Sequence, residues 1–399
     1  MIKFKLYLGI FSYLFIYLFL TLSIYLISVY TNYNGLGVPL LNGKDDGVFY
    51  YEQAMNIVNG LPVIENPPMH VILIGWLMKI TNIENPIIIR VYNFLGTMLI
   101  LLISLLVLKK ITSNTKELYI SGAFLCVILS LYPSLVVYNV LSINRDVWII
   151  LFFLLSINLF INIFIKKGKY PIIISILCIL PSIYFLGEHR HYALLSYLLG
   201  SVAFLLLNVA KNYITNGVKL FISFGIVCFS LFFIFFKNIT IPIVGMSFMD
   251  ALTYRNLAFE GMGGGSQMNI SLSQPNLILF YFNYFYSIVS NTVGPFPWQV
   301  TGFSSLILLL TEGIFFFFVF FFLYKQRKNF NKVEQYLVVQ SVIWFMLISV
   351  TNDNFGTGSR LRIIGWIPIL IIFSKYIAIY ILKKREKITG GIRIVDQSQ

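Results

Sequence analysis

Charge is scarce in this chain. Only 11% of its 399 residues are charged while 58% are hydrophobic, which excludes a soluble domain with an ordinary polar surface. Cysteine is scarcer still. Cys126, Cys178 and Cys228 all fall within apolar runs, so a disulfide framework is excluded. The three histidines are His70, His189 and His191, and a pair at i, i+2 is weak support for a metal site. No ten-residue alternation of apolar and polar residues occurs, which argues against barrel strands. Acidic residues number 15 against 29 Lys and Arg, a net charge of +14. No basic groove with interleaved stacking aromatics accompanies that excess, so a nucleic-acid partner is excluded and the placement of the basic residues becomes the informative quantity.

What is abundant is the apolar run of about 20 residues, long enough to cross a hydrocarbon core of roughly 30 Å as a helix. Residues 6–30 follow Lys3 and Lys5. The run is too long for a signal-peptide core and has no small-residue cleavage site, so it reads as a retained first helix. Basic residues cluster in alternate links: Lys109, Lys110 and Lys116; Lys166, Lys167 and Lys169; Lys211 and Lys219; Lys325, Arg327, Lys328 and Lys332; and Lys383 to Arg393. With those links on the cytoplasmic side, ten spans are expected, at 6–30, 87–108, 118–137, 146–165, 170–186, 192–209, 219–236, 300–324, 333–350 and 363–382. Both termini are then cytoplasmic. Two further apolar pieces, 67–80 and 276–293, are expected as juxtamembrane helices at the outer face. The expected architecture is all-α and polytopic, with residues 1–399 forming a single integral membrane domain.

The same assignment leaves 31–86, 138–145, 187–191, 237–299 and 351–362 outside. Ten of the 15 acidic residues lie there or at adjoining helix ends: Asp45, Asp46, Glu52, Glu65, Glu84, Asp146, Glu188, Asp250, Glu260 and Asp353. All three histidines join them. Ionisable chemistry is therefore expected on one face.

The stretch KDDGVFYYEQA ends a loop with Asp45 and Asp46 and opens a helix expected to run through Asn59. Carboxylates there are favoured by unpaired N–H groups and the helix dipole, so a simple cap is one reading. Asp46, Tyr50 and Ala54 share one helical face. Together with Asn66-Pro67-Pro68-Met69 and with Arg90 opening the next span, this pattern resembles the GT-C superfamily of membrane glycosyltransferases, of the protein-mannosyltransferase and aminoarabinose-transferase kind, over about residues 1–200. The resemblance implies that Asp46, or its neighbour Asp45, is a catalytic base or metal ligand. It implies a second acid in the turn LSINRDVW, where Asp146 stands and could equally cap the following helix. Asp46 and Asp146 could then share a divalent cation, Mg or Mn, through oxygen ligands. In the turn FLGEHRHYAL, the resemblance implies that Arg190, flanked by His189 and His191, contacts the phosphate of a lipid carrier.

The long external segment holds TYRNLAFEGMGGGSQMNIS. Its glycines could form an anion-binding nest or a lid, and Arg255 could bind an anion or pair with Glu260. Trp298 in VGPFPWQV could anchor at the interface or carry a sugar. In TNDNFGTGSRLR, Arg360 and Arg362 stand at the outer face against the positive-inside trend and call for an anion, a lipid-linked phosphate or the bilayer's own headgroups. Deeper in the spans, Glu312 and Lys375 are each about twelve residues from the outer end, so an ion pair between them is expected.

The expected function is an inverting glycosyltransferase at the outer face of a bacterial cytoplasmic membrane. It would move a sugar from a polyprenyl-phosphate donor to a glycan or lipid-linked acceptor, among membrane lipids. The segments GPFPW and DNFGTGSRLR also resemble Wzy-type polysaccharide polymerases, which join repeat units carried on lipid pyrophosphate. A lipid or solute transporter is a third reading, which would favour polar residues spread through the spans and internal repeats.

Overall fold

A computed structural model describes residues 2–38, 46–165, 169–213, 217–261, 266–274 and 276–396. Helix dominates, and among the described residues the extended pairing is limited to isolated bridges such as Gln267 with Asn354. Eight helices are long and apolar enough to cross a membrane, or nine if one bent pair counts as a single span. The protein is thus a polytopic, helical membrane protein. Helices suit this role because each peptide group finds its hydrogen bond within its own segment.

The chain divides into two compact units. The first comprises Met1–Leu154, Val319–Glu334 and Ile367–Gln399. It opens with α1 (Ile2–Tyr30), followed by α2 (Asp46–Asn59), α3 (Met69–Thr81), α4 (Ile87–Ile111) and α5 (Thr115–Leu131). Helix α1 lies along α5, where Gly122 permits the approach: a Cβ there would stand 2.7 Å from Leu6 Cδ1. Fully buried Tyr17 fixes the same seam, donating to Leu129 O, and fully buried Tyr13 ties α1 to α4, donating to Thr97 O, each at 3.2 Å. After α5 the chain bends by 67° into Pro133–Leu141. The cause is Pro133, which leaves Tyr132 extended at ψ 103 and starts the short α6 (Pro133–Val136). A π-turn, Val137–Leu141, continues it, and α7 (Asp146–Phe160) begins after an extended Ser142.

The second unit comprises Leu155–Phe318 and Gln335–Trp366. Its elements are the rest of α7, then α8 (Lys169–His189), α9 (His191–Tyr213), α10 (Gly217–Phe235), α11 (Phe248–Gly261), α12 (Leu277–Val293) and α13 (Phe303–Leu308). Helices α14 (Ile314–Gln326), α15 (Lys332–Thr351) and α16 (Phe355–Asp396) complete the chain. Inside it runs an uncharged polar seam. Ser156 and Ser182 hydroxyls meet at 2.8 Å, Tyr197 donates to Ser156 O, and Gln340 Nε2 donates to Tyr197 O, Ser201 Oγ and Tyr336 OH. Gly200 makes room for Gln340, whose Oε1 lies 2.5 Å from where a Cβ would be. Hydrogen bonds of this kind hold helices together where no hydrophobic force can.

The expected spans compare closely with these helices. Eight coincide with the long apolar helices, and 118–137 is the bent pair. The remaining one, 219–236, falls on α10, whose apolar part Ser223–Phe235 is shorter than a full crossing. The expected juxtamembrane pieces are α3 and α12, of 13 and 17 residues, or about 20 and 26 Å long.

The expected Glu312–Lys375 pair is not formed. Helix α16 begins at Phe355, eight residues before the expected 363, so Lys375 lies about 30 Å along it rather than about 18 Å. There it meets fully buried Glu334, with Nζ 2.8 Å from Oε1. The same glutamate caps the start of α15, accepting from Asn331 N at 2.7 Å while Asn331 Oδ1 accepts from Glu334 N. Glu312 instead accepts from Arg362. Removing one partner of a buried pair strands the other charge, at a cost of about 3–5 kcal/mol. Lys375→Met should therefore lower the thermal midpoint of the detergent-solubilised protein sharply, and Glu334→Gln/Lys375→Met should recover most of the loss. Equal midpoints for the single and double variants would show that the pair is solvated.

Candidate functional site

In the first unit, a polar cluster gathers at one end of α4 around the bend after α6. Arg90, in the first turn of α4, is buried and donates from Nε to Gly35 O at 2.8 Å, from Nη2 to Leu36 O at 3.0 Å and from Nη1 to Val140 O at 2.7 Å. One guanidinium thereby satisfies three carbonyls, two in the loop after α1 and one in the π-turn that follows α6. One turn further, Asn93 Nδ2 donates to Asn144 O and its Oδ1 accepts from Trp148 Nε1, both at 3.1 Å. His70 of α3, fully buried, has Nε2 3.2 Å from Ile143 O, an arrangement that assigns the proton to Nε2.

These bonds pin the turn 142–145, and aromatic contacts connect it to α2. Tyr50 presents its ring edge-on to His70 at 5.3 Å, and the Arg145 guanidinium lies 5.8 Å from the Tyr50 centroid. Tyr50, Ala54, Val71, Ile74, Ile89 and Ile143 share one apolar cluster. The predicted face of α2 is therefore the buried one, and Asp46 sits one turn before it with its side chain exposed. Asp146 opens α7 next to Arg145 and is 2% exposed. Asp45 lies outside the described residues. Among the described residues no group of three or more His, Cys, Asp or Glu stands close enough to hold a metal.

The second unit contains the other expected site residues. His189 ends α8, fully buried, with Nδ1 2.8 Å from Phe185 O. Arg190 stands between α8 and α9, with its guanidinium 5.0 Å from the Tyr192 ring, and exposed His191 begins α9. Tyr192 in turn lies 5.7 Å from Trp344, whose Nε1 donates to Leu361 O at 2.9 Å. Arg360 is half-buried in the second turn of α16.

Arg255 and Arg362 are engaged by the fold. Arg255 donates to Ile270 O, Ser287 Oγ, Ser349 O, Asn352 O and Asp353 Oδ1, which occupies all five guanidinium donors. Its carboxylate partner is Asp353; the Glu260 side chain and the glycines Gly263 to Gly265 lie outside the described residues. Asp353 also accepts from Asn269 N at 3.1 Å and Ile270 N at 3.2 Å, while Met268 N donates to its carbonyl. Segment 266–270 is strapped in this way across the link between α15 and α16. Burial pushes the Asp353 carboxyl above its ordinary value, against the Arg255 charge, and pushes the Arg255 guanidinium down. Arg362 bonds Gly294 O and Glu312 Oε2, the latter at 2.6 Å, and lies over the Phe316 ring. Two buried arginines that looked anion-seeking in sequence are therefore neutralised internally by Asp353 and Glu312. Trp298 is exposed, stacks on Phe296 at 4.9 Å and donates to Tyr286 OH.

The sequence did not single out His70, Asn93 or Arg145 as site residues. The signal was present in LSINRDVW, where an arginine follows two small polar residues at a bend. Comparison with protein-family models, with curated proteins and with solved structures finds no match to the chain. The chemistry must be argued from the chain itself.

Asp353→Ala should strand the Arg255 charge and two backbone N–H groups, a loss of about 3–5 kcal/mol. Limited proteolysis should then cut within residues 266–274, where the wild type resists. Unchanged protection would show that the strap is held by apolar contacts alone.

Proposed function

We propose that the protein is a membrane glycosyltransferase that transfers a sugar from a polyprenyl-phosphate donor to a glycan or lipid-linked acceptor at the outer membrane face. The observation that supports this most is in the first unit. A solvent-facing carboxylate, Asp46, and a buried one, Asp146, stand on elements that a single packed cluster of Tyr50, His70, Arg145 and Ile143 holds in register. A general base needs an exposed carboxylate on a rigid support, and α2 supplies one.

In this reading Asp46, or Asp45, takes the proton of an acceptor hydroxyl as its oxygen attacks the anomeric carbon. The bond from that carbon to the phosphate oxygen breaks, and polyprenyl phosphate leaves with its electron pair, inverting the centre. Asp146 orients the acceptor or shares a divalent cation with Asp46. Arg190 and Arg360 are the candidates for the lipid phosphate. Arg255 drops out because its guanidinium is bonded throughout, and Arg362 because its two terminal nitrogens bond Gly294 O and Glu312 Oε2.

A second reading, a polymerase joining lipid-pyrophosphate repeat units, draws on the second unit. There the two segments that resemble such enzymes are bonded together, Arg362 to Gly294 O and Trp366 Nε1 to Thr292 O at 2.8 Å. Mass spectrometry of lipid-linked sugars in cells lacking the protein, restored with wild type or Asp46→Asn, separates the two. The transferase reading expects lipid-phosphate monosaccharide to build up and the glycan to lack one sugar, with no rescue by Asp46→Asn. Complete repeat units on lipid pyrophosphate with long polymer lost would favour the polymerase. Full rescue by Asp46→Asn would leave Asp46 as a helix cap.

A further inference from the structure

Arg145 differs from three other buried arginines of the chain. Arg90, Arg255 and Arg362 are each held by carbonyls or a carboxylate of the chain. Arg145 is half-buried, its Nε is fully enclosed, and among the described residues no acceptor meets any of its side-chain nitrogens. Its guanidinium lies 5.8 Å from the Tyr50 ring, a contact that is weak beside the cost of desolvating a guanidinium. The side chain is also held in place from behind. Arg145 O accepts from Trp148 N and Ile149 N, and Asn144 O is bonded by Asn93.

The residues beside it are similarly unmet. Ser142 Oγ, Asn144 Oδ1 and Asn139 Oδ1 are enclosed and meet no hydrogen-bond partner among the described residues, on side chains of residues 3–5% exposed. Such atoms are rare in native proteins, and four on seven consecutive residues call for a ligand with matching chemistry. The amide oxygens require donors and the guanidinium requires an anion. A neutral sugar would leave the guanidinium unpaired, and inorganic phosphate would leave the amide oxygens largely unmet.

We propose that the turn 139–145 is a binding site for a hydroxylated anion, a sugar carrying a phosphate or a carboxylate, with Arg145 holding the charged oxygens. The exposed edge of Arg145 is the point of entry, and the turn opens locally to let Ser142, Asn139 and Asn144 engage the hydroxyls. That this ligand is the sugar being transferred or accepted rests on the transferase reading; the binding site itself does not.

The test is equilibrium dialysis of the full-length protein in lipid nanodiscs with radiolabelled glucose 1-phosphate, glucuronate, glucose and inorganic phosphate. One or both hydroxylated anions should bind about tenfold or more tightly than glucose or phosphate. Preference for glucose 1-phosphate identifies the anion as a phosphate, and preference for glucuronate identifies an acidic sugar. Arg145→Gln should weaken that binding about tenfold or more, Arg145→Lys should retain part of it, and Asn144→Ala should reduce it with an unchanged melting temperature. Wild-type affinity in Arg145→Gln, equal binding of glucose, or no binding of either anion would overturn the proposal. Anion binding in a protein whose Asp46→Asn variant fully restores the cell's glycan would instead sink the transferase reading and leave the site standing.

Discussion

A cation taken out of water must find its counter-charge within the chain, and in a protein with 29 basic and 15 acidic residues those partners are in short supply. Three of the acids sit in buried pairs, Asp353 with Arg255, Glu312 with Arg362 and Glu334 with Lys375. Each partner lies far away in sequence, so each pair joins segments that neither helix propensity nor apolar packing would bring into register. The cost of leaving one charge unpaired matches that of emptying a large core side chain, which makes these pairs stringent determinants of which segments meet.

Irregular backbone obeys the same constraint. Wherever the chain leaves helix near the apolar region, a polar side chain takes over the backbone's hydrogen bonds. Arg90 serves the carbonyls of Gly35, Leu36 and Val140, His70 and Asn93 serve the turn 143–144, and Asp353 serves two amides of the strap. A loop satisfied this way is rigid, and rigidity allows an unsatisfied group to persist in it. The unmet atoms from Asn139 to Arg145 stand on a segment fixed by its neighbours, which is the arrangement a binding site requires before its ligand arrives.

The arginines of this chain differ in what holds them. Positive charge at the outer ends of helices reads in sequence as a demand for phosphate, and Arg255, Arg360 and Arg362 all fit that reading. Packing splits them. Arg255 and Arg362 are enclosed beside carboxylates, while Arg145, adjacent to Asp146, keeps its donors unengaged by described residues. Sequence cannot make this distinction because the deciding carboxylates are 98 residues from Arg255 and 50 from Arg362.

The sequence alone determined the all-helical membrane architecture, because helical spans need only length, hydrophobicity and internally satisfied backbone, all local properties. It also determined that α2 opens at Asp46 with Tyr50 and Ala54 on one buried face, since four-residue periodicity is local as well. Helix starts could be misjudged where polar residues continue a helix beyond its apolar run. Phe355 to Arg362 did so, and moved Lys375 more than two turns from its expected depth. The tertiary structure alone decided which acid neutralises which base, that Arg145 meets no acceptor among the described residues, and that His70 and Asn93 hold the turn before Asp146. Those are long-range choices, set by which helices approach closely enough to pair, and no local pattern encodes them.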